Sequence, residues 1–370
     1  MMHPNLAADQ QRDNSRVPDT DAPRLLAELV GQAESAGASD IHLQSVGVAA
    51  EIAFRLDGVL TPARRLAGPA VERLFGRIKF LARLQTWQES LPQDGRIAGA
   101  DLGAHNDLRV ATYPTVTGEK IVLRLFQGST AKTLPELGFP PDACAALESF
   151  LRQTSGLLLL TGPAGSGKTT TIHACLTQLA AQGGRHVVTI EDPVEQIIPG
   201  IMQTEVNEAR GLGYATAARH LLRQDPQVLV LGEIRDDETA QLAVRAALTG
   251  HLMIATLHAG SCRGVWERLQ VMCPDTYAAA TAVELIVNQR LLRRRCAACG
   301  GADCAVCLQT GYRGRAPVVE WFRVDAAARA RLHTEGADVI QPGESLAAAA
   351  RKLVDDKLTD ESEYERMFGG

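Results

Sequence analysis

Lys168 and Thr169 close the stretch Gly162-Pro-Ala-Gly-Ser-Gly-Lys-Thr169, which has the spacing G-x-x-x-x-G-K-[ST]. Glycines at these intervals let backbone N–H groups converge on phosphate oxygens, and a helix beginning near Lys168 adds its positive dipole end. On this reading Gly162, Pro163, Ala164, Gly165, Ser166, Gly167, Lys168, Thr169 and Thr170 bind a nucleotide such as ATP. Lys168 reaches the β- and γ-phosphates, and the Thr169 hydroxyl sits on Mg²⁺. The competing reading is a glycine-rich turn with a chance lysine. The leucine run 157–160 before it and the helical pattern after it favour the phosphate loop.

Phosphoryl transfer to water needs a carboxylate to orient or deprotonate the water, and a second acidic group near Mg²⁺. Glu191 follows the apolar run 187–190, and Glu233 follows the run 228–231. Either alone is explained by an acidic surface loop. Together, behind a phosphate loop, they read as chemistry. His251 and His258 bracket a fourth apolar run, 252–257. Seven positions apart across a regular strand, they point to opposite faces. One is a candidate γ-phosphate sensor and the other a structural histidine; spacing leaves open which.

The third chemical cluster is Cys296-Ala-Ala-Cys299 followed by Cys304-Ala-Val-Cys307. Two C-x-x-C knuckles can close a tetrahedral S₄ site suited to structural zinc, and four thiolates leave no open position for catalysis. Only four residues separate the pairs, and Gly300-Gly301 permits the sharp reversal that this requires. Two reduced, unmetallated pairs in a surface loop are the alternative. Cys144, Cys175, Cys262 and Cys273 are scattered and read as small core residues.

The elements that must position these groups follow from periodicity. Four short apolar runs separated by helical segments predict a buried parallel sheet built from right-handed crossovers. Ligands in such α/β sheets bind at the carboxyl ends of the strands, where Glu191, Glu233 and His258 fall. Ile172, Cys175, Leu176 and Leu179 form the inner face of the helix after the phosphate loop, ending at Gly183-Gly184. Upstream, Leu25, Leu26, Leu29 and Val30 share a helical face. Strand-like alternation follows at 41–43 and 51–56, with Asp57-Gly58 a hairpin signal. A second amphipathic helix starts near Pro69, and strand-like runs occupy 108–112 and 119–126. This is a small α+β domain with a mostly antiparallel sheet. The predicted organisation is a disordered tail over 1–21, the α+β domain over 22–130 and a phosphate-loop domain over 131–295. A cysteine module over 296–316 and a helical region over 317–370 complete it. The boundary lies in the Gly- and Pro-marked segment 127–141, and Arg293-Arg-Arg295 reads as a solvated helix end.

A chain of 370 residues is too long for one ordinary core. Its polar N-terminal stretch is unlike a signal peptide, and no apolar run approaches the roughly eighteen residues of a membrane span. The expected location is cytoplasmic, without direct membrane insertion. A formal charge of −5 makes no electrostatic case for tight nucleic-acid binding.

Beside the phosphate loop stand Thr189-Ile-Glu-Asp-Pro-Val-Glu195, Leu222-Arg-Gln-Asp-Pro226, Leu231-Gly-Glu-Ile-Arg-Asp236, Thr249-Gly-His251 and Thr256-Leu-His258. With the loop they resemble the Walker A, Asp box, Walker B and His box of the bacterial ATPases that drive type II secretion and type IV pilus assembly. The resemblance continues upstream in Ala38-Ser-Asp-Ile-His42, Arg55-Leu-Asp-Gly-Val59 and Pro92-Gln-Asp-Gly-Arg96, and downstream in Gly311-Tyr-Arg-Gly-Arg315. The family's large N-terminal docking domain has no counterpart here, and Thr216 stands where the family usually has an arginine. The resemblance implies a RecA-like ATPase domain preceded by a PAS-like α+β domain. It implies that Glu191 activates the attacking water, Glu233 binds the Mg²⁺ shell and His258 senses the γ-phosphate. It also implies that Arg109 and Arg124 reach across a subunit boundary; the alternative is a pair of solvated strand-edge arginines. The implied assembly is a homo-hexamer recruited to the inner membrane by a platform protein. A nucleic-acid motor on the same fold and a non-hydrolysing nucleotide-gated scaffold are the competing functional readings.

Overall fold

The computed structural model describes residues 21–125 and 132–369. The predicted tail up to residue 20, and residues 126–131 next to the predicted boundary, lie outside them. The chain divides into two compact units, Met1–Gln127 and Gly128–Gly370.

The first unit runs α1 (Ala22–Ser35), β1 (Ala38–Val46), β2 (Ala49–Leu56), β3 (Val59–Ala67), α2 (Pro69–Leu81), β4 (Gln93–Ile97), β5 (Leu108–Thr115) and β6 (Gly118–Leu125). All pairings are antiparallel, in the order β3-β2-β1-β6-β5-β4. Alternation puts Ile41, Leu43, Ile52, Phe54, Val110, Ile121 and Leu123 into a core with Leu26, Leu29, Leu74 and Ile78 of the two helices. Asp57 and Gly58 make the β2–β3 turn, both with positive φ. The sequence signal for β3 itself was weak because Pro62 and Arg64-Arg65 interrupt it. Pro62 is tolerated there because β3 is an edge strand, and its pairing slips in register at that point. Lys79 belongs to α2, yet it is as buried as the leucines; its Nζ lies 3.0 Å from Glu119 Oε1 and donates to the Gln88 carbonyl.

The second unit carries α3 (Pro141–Leu151), β7 (Gly156–Thr161), α4 (Lys168–Gln182), β8 (Val187–Glu191), β9 (Met202–Glu205), α5 (Tyr214–Leu221), β10 (Val228–Leu231), α6 (Asp237–Leu248), β11 (Leu252–Thr256), α7 (Cys262–Met272), α8 (Thr276–Ala282), β12 (Val283–Arg295), β13 (Tyr312–Arg323), α9 (Ala326–Glu335), α10 (Leu346–Asp355) and α11 (Glu361–Phe368). Its sheet order is β13-β12-β7-β11-β10-β8-β9. All neighbours are parallel except the hairpin of β12 and β13. The four predicted runs are β7, β8, β10 and β11, and their residues 157–160, 187–190, 228–231 and 252–256 are all buried. Two predictions are corrected. Arg293–Arg295 end a strand, not a helix, and residues 317–323 extend the sheet before the C-terminal helices begin. Asn288 and Gln289 break the apolar run that would have marked β12, whereas Val318, Val319, Trp321 and Phe322 give β13 the β-branched and aromatic content of a strand.

Candidate functional site

β7 is buried along its whole length and delivers the chain straight into the glycine-rich loop. Gly162 is there for space as well as for its φ of 136°: a Cβ would sit 2.3 Å from the Gln289 carbonyl oxygen. Gly167 precedes the first residue of α4 and offers no side-chain cap, so the helix's leading amides are left for another acceptor. Gln289, on the adjacent β12, braces the loop from behind. Its Nε2 donates to the Ser166 carbonyl at 2.7 Å, and its Oε1 accepts from Thr171 Oγ1 at 2.9 Å. Arg315 of β13 donates to the Gly165 carbonyl at 3.3 Å. Lys168 Nζ lies over the loop, donating to the carbonyls of Gly162 and Pro163 at 2.8 and 3.0 Å. Burial lowers its pKa, and the Glu233 charge pulls the other way. Pro163, Ala164, Gly165 and Thr170 are exposed, Thr169 is half-buried, and the buried Ser166 hydroxyl has no hydrogen-bond partner among the described residues. Uncapped amides, a half-buried ammonium and an orphaned hydroxyl around one loop fit a bound polyphosphate.

Glu191 ends β8 and is buried. Thr189 Oγ1 and Gln203 Nε2 donate to its Oε1 at 2.6 and 2.9 Å. His173, one and a half turns along α4 from Lys168, places Nε2 3.8 Å from Glu191 Oε2. Burial pushes the Glu191 pKa up, but His173, Gln203 and Thr189 together hold it below the usual carboxylate range.

Glu233 sits two residues past β10. His258 Nε2 lies 2.9 Å from its Oε1, and Arg235 Nε donates to its Oε2 at 2.7 Å. Arg235 also reaches Asp192, 3.2 Å away, and lies over the Tyr214 ring. The two histidines separate by strand end as well as by face. His258 follows β11 at the phosphate-loop end, whereas His251 precedes it and bonds back to the Ala246 carbonyl at 3.0 Å. The phosphate-loop end of the sheet therefore has one of the two histidines, His258. Glu191, Glu233, His258 and Lys168 thus collect at the carboxyl ends of neighbouring parallel strands. The residues that brace them had no role assigned from sequence: Thr189, Arg235 and Arg315 lie inside the quoted motifs, and His173, Gln203 and Gln289 lie outside them. Of these, Gln289 had a usable signal, a carboxamide in the middle of an apolar strand.

The four cysteines lie in the connection between β12 and β13, with all four sulfurs within 4.8 Å of one another. Three Sγ–Sγ separations are 3.6–4.0 Å. A tetrahedral ion with sulfur bonds of about 2.3 Å sets its ligands about 3.8 Å apart, so the cluster fits zinc. Gly300 and Gly301 make the reversal with φ of 64° and 91°. Cys175, Cys262 and Cys273 are buried core residues as expected, and burial pushes the Cys175 thiol up to about 12; Cys144 is only half-buried.

Arg109 and Arg124 lie in the first unit, directly opposite each other on β5 and β6. These are interior strands, so the edge-strand alternative does not hold. The register continues through Arg96, Asp40 and Arg55, giving a transverse row of charges on the sheet face away from the helices. Asp40 is buried and is held by Arg124 at 3.0 Å and Arg55 at 3.2 Å. Arg109 and Arg124 themselves are exposed.

A family model described as "Type II/IV secretion system protein" matches residues 17–366. Type II secretion system protein HxcR of Pseudomonas aeruginosa is 40% identical over 342 residues, covering 90% of this chain and 73% of that protein. Type II secretion system protein E of Klebsiella pneumoniae is 40% identical over 345 residues, covering 85% and 68%. Among solved structures, the pilus retraction motor PilT with bound ADP is 26% identical, with a TM-score of 0.66 over 92% of this chain and 96% of that one. The Legionella pneumophila ATPase DotB, 21% identical, shares the fold with a TM-score of 0.73 over 97% and 98% of the two chains.

Proposed function

The chain belongs to the type II/IV secretion system protein family, and on that premise we propose that it is an ATP-hydrolysing motor for type II secretion or type IV pilus assembly. The observation that carries this reading is the convergence of Glu191, Glu233 and His258 on the phosphate-loop end of one parallel sheet. The loop amides and Lys168 bind and orient the β- and γ-phosphates of ATP, so the reacting phosphorus is held in line for attack. Glu191 orients one water and takes its proton as the water oxygen attacks. Its depressed pKa keeps it ionised across the working pH range. Thr169 and Glu233 are the residues that would hold Mg²⁺, which screens the phosphate charge when bound. His258, steered by Glu233, faces the γ-phosphate and reports its presence.

Arg109 and Arg124 complete the site of a neighbouring subunit in this proposal, and the active unit is a homo-hexamer. The machine it serves lies at the inner membrane, with a platform protein as its partner. Among the described residues no helix is long and apolar enough to cross a membrane, so membrane recruitment is assigned to that partner. Zinc in the four-cysteine module has a structural part.

Phosphate release under saturating MgATP tests the core of the proposal. Lys168→Ala is expected to lose ATP binding and turnover together, because the phosphates lose their main cation. Glu191→Gln is expected to bind ATP normally and turn over about a hundredfold more slowly. Undiminished turnover in E191Q removes Glu191 from the mechanism, and absent turnover in the unmutated protein favours a nucleotide-gated scaffold.

A further inference from the structure

An ionised carboxylate offers about four acceptor positions, two on each oxygen. At Glu191 both positions of Oε1 are committed, to Thr189 Oγ1 and Gln203 Nε2. Neither of these donors is free to move. Thr189 is fully buried in β8. Gln203 is tied on both sides, donating also to the Gln196 carbonyl at 2.9 Å and accepting from Ile198 N at 2.7 Å. The carboxylate is therefore anchored through one oxygen, with Oε2 left for chemistry.

Oε2 faces His173. That imidazole is buried, 6% exposed, and its Nε2 has no hydrogen-bond partner among the described residues. A buried polar nitrogen without a partner is costly, and this one stands 3.8 Å from a carboxylate oxygen. The separation is about an ångström beyond a hydrogen bond, the looseness that catalytic contacts commonly show before substrate binds. His173 also rides on α4, the helix that begins with Lys168 and Thr169. A movement of α4 as its N-terminus takes up phosphate is thus a movement of His173 against Glu191.

We propose that His173 is a positioning residue for Glu191: its Nε2–H closes on Oε2 when ATP fills the loop, leaving that oxygen one acceptor position, for the attacking water. The inference rests on the assignment of Glu191 as the residue that handles water. It adds a reason for directionality. A carboxylate with one anchored oxygen and one remaining acceptor position selects a single water orientation, and it does so only when the phosphate loop is engaged.

The test is a double-mutant cycle in the full chain, with MgATP as the probe. His173→Phe keeps a planar ring and removes the donor; His173→Gln keeps an N–H. H173F is expected to lower kcat about ten- to hundredfold, the worth of one hydrogen bond to a charged group, with KM for ATP changed by less than about twofold. H173Q is expected to recover part of the loss. In the E191Q background H173F is expected to cost nothing further, because the charge it steers is gone. Thermal unfolding checks that each variant is folded, and H173L with the same readouts replaces H173F if the ring does not fit. An equal loss from H173F in both backgrounds, a loss confined to KM, or full activity in H173F overturns the proposal. Full kcat in E191Q alone instead overturns the assignment of Glu191, and this inference with it.

Discussion

Gln289 has both ends of its carboxamide in use, one on the Ser166 carbonyl and one on Thr171, and it is 1% exposed. It fixes the phosphate loop from the neighbouring strand, and its backbone oxygen forbids a side chain at position 162. Gln289→Leu leaves the Ser166 carbonyl without the Gln289 donor, at about 1–3 kcal/mol, while the Thr171 hydroxyl keeps the Gly167 carbonyl at 3.3 Å. Because the loop loses its support while the water-handling groups are untouched, the loss is expected mainly in ATP affinity. A Kd raised about tenfold or more with kcat changed far less is the expected titration and turnover result. An unchanged Kd would show that the loop holds its shape unaided. The residues that touch phosphate or water were legible in the sequence because motif spacing and strand ends mark them. What the braces contact was not. Gln289, Gln203 and His173 act across pairs of elements, and their partners lie 123, 12 and 18 positions away, distances that no local pattern encodes.

At the scale of elements, the cysteine module is a knuckle inserted in a sheet hairpin. Its two ends are tied independently of any metal. Cys296 N donates to the Gly311 carbonyl at 2.8 Å, and Arg295 N to the Leu358 carbonyl at 2.9 Å. Behind it the fully buried Glu363 of α11 gathers Arg293 and Arg366, at 2.8 and 2.6 Å. Burial raises the Glu363 pKa, but the two arginines hold it below its ordinary value. Metal is therefore expected to fold the segment 296–311 and not the domain. Freshly reduced protein is expected to hold about one zinc per chain. Replacing Cys299 and Cys304 with serine is expected to release it and abolish amide-exchange protection in the module, leaving β7 and ATP affinity intact. Elemental analysis finding no zinc in the unmutated, unchelated protein decides against metal. The cysteines were legible from spacing alone. The strand β13 that follows them has strand-like content at 318–322, but its pairing was not legible, because its partner β12 is disguised by the buried polar pair Asn288 and Gln289.

At the scale of the whole molecule, the chain keeps its phosphate loop in one compact unit and its arginine row in the other. One buried carboxylate, Asp40, serves Arg55 and Arg124, and the side chains of Arg109 and Arg124 stand exposed on the sheet face opposite the helices. Arg109 and Arg124 stand directly opposite each other with exposed side chains, a geometry in which two guanidinium groups can reach one anion brought by another molecule. In the proposed hexamer that anion is the γ-phosphoryl group of a neighbour's ATP. Arg124→Ala leaves Asp40 bonded to Ser39 and paired with Arg55, so the first unit is expected to fold. It is expected to bind ATP nearly normally and to hydrolyse it about a thousandfold more slowly, since an arginine of this kind acts on the transition state. Mixed with Lys168→Ala, it is expected to regain part of its activity. A K168A subunit still offers its arginines, and an R124A subunit still has a working loop. Specific activity of the unmutated protein is likewise expected to rise with concentration until assembly is complete. Full activity in a demonstrated monomer, or co-assembled mutants without rescue, would show that each subunit completes its own site and that the arginine row serves another purpose.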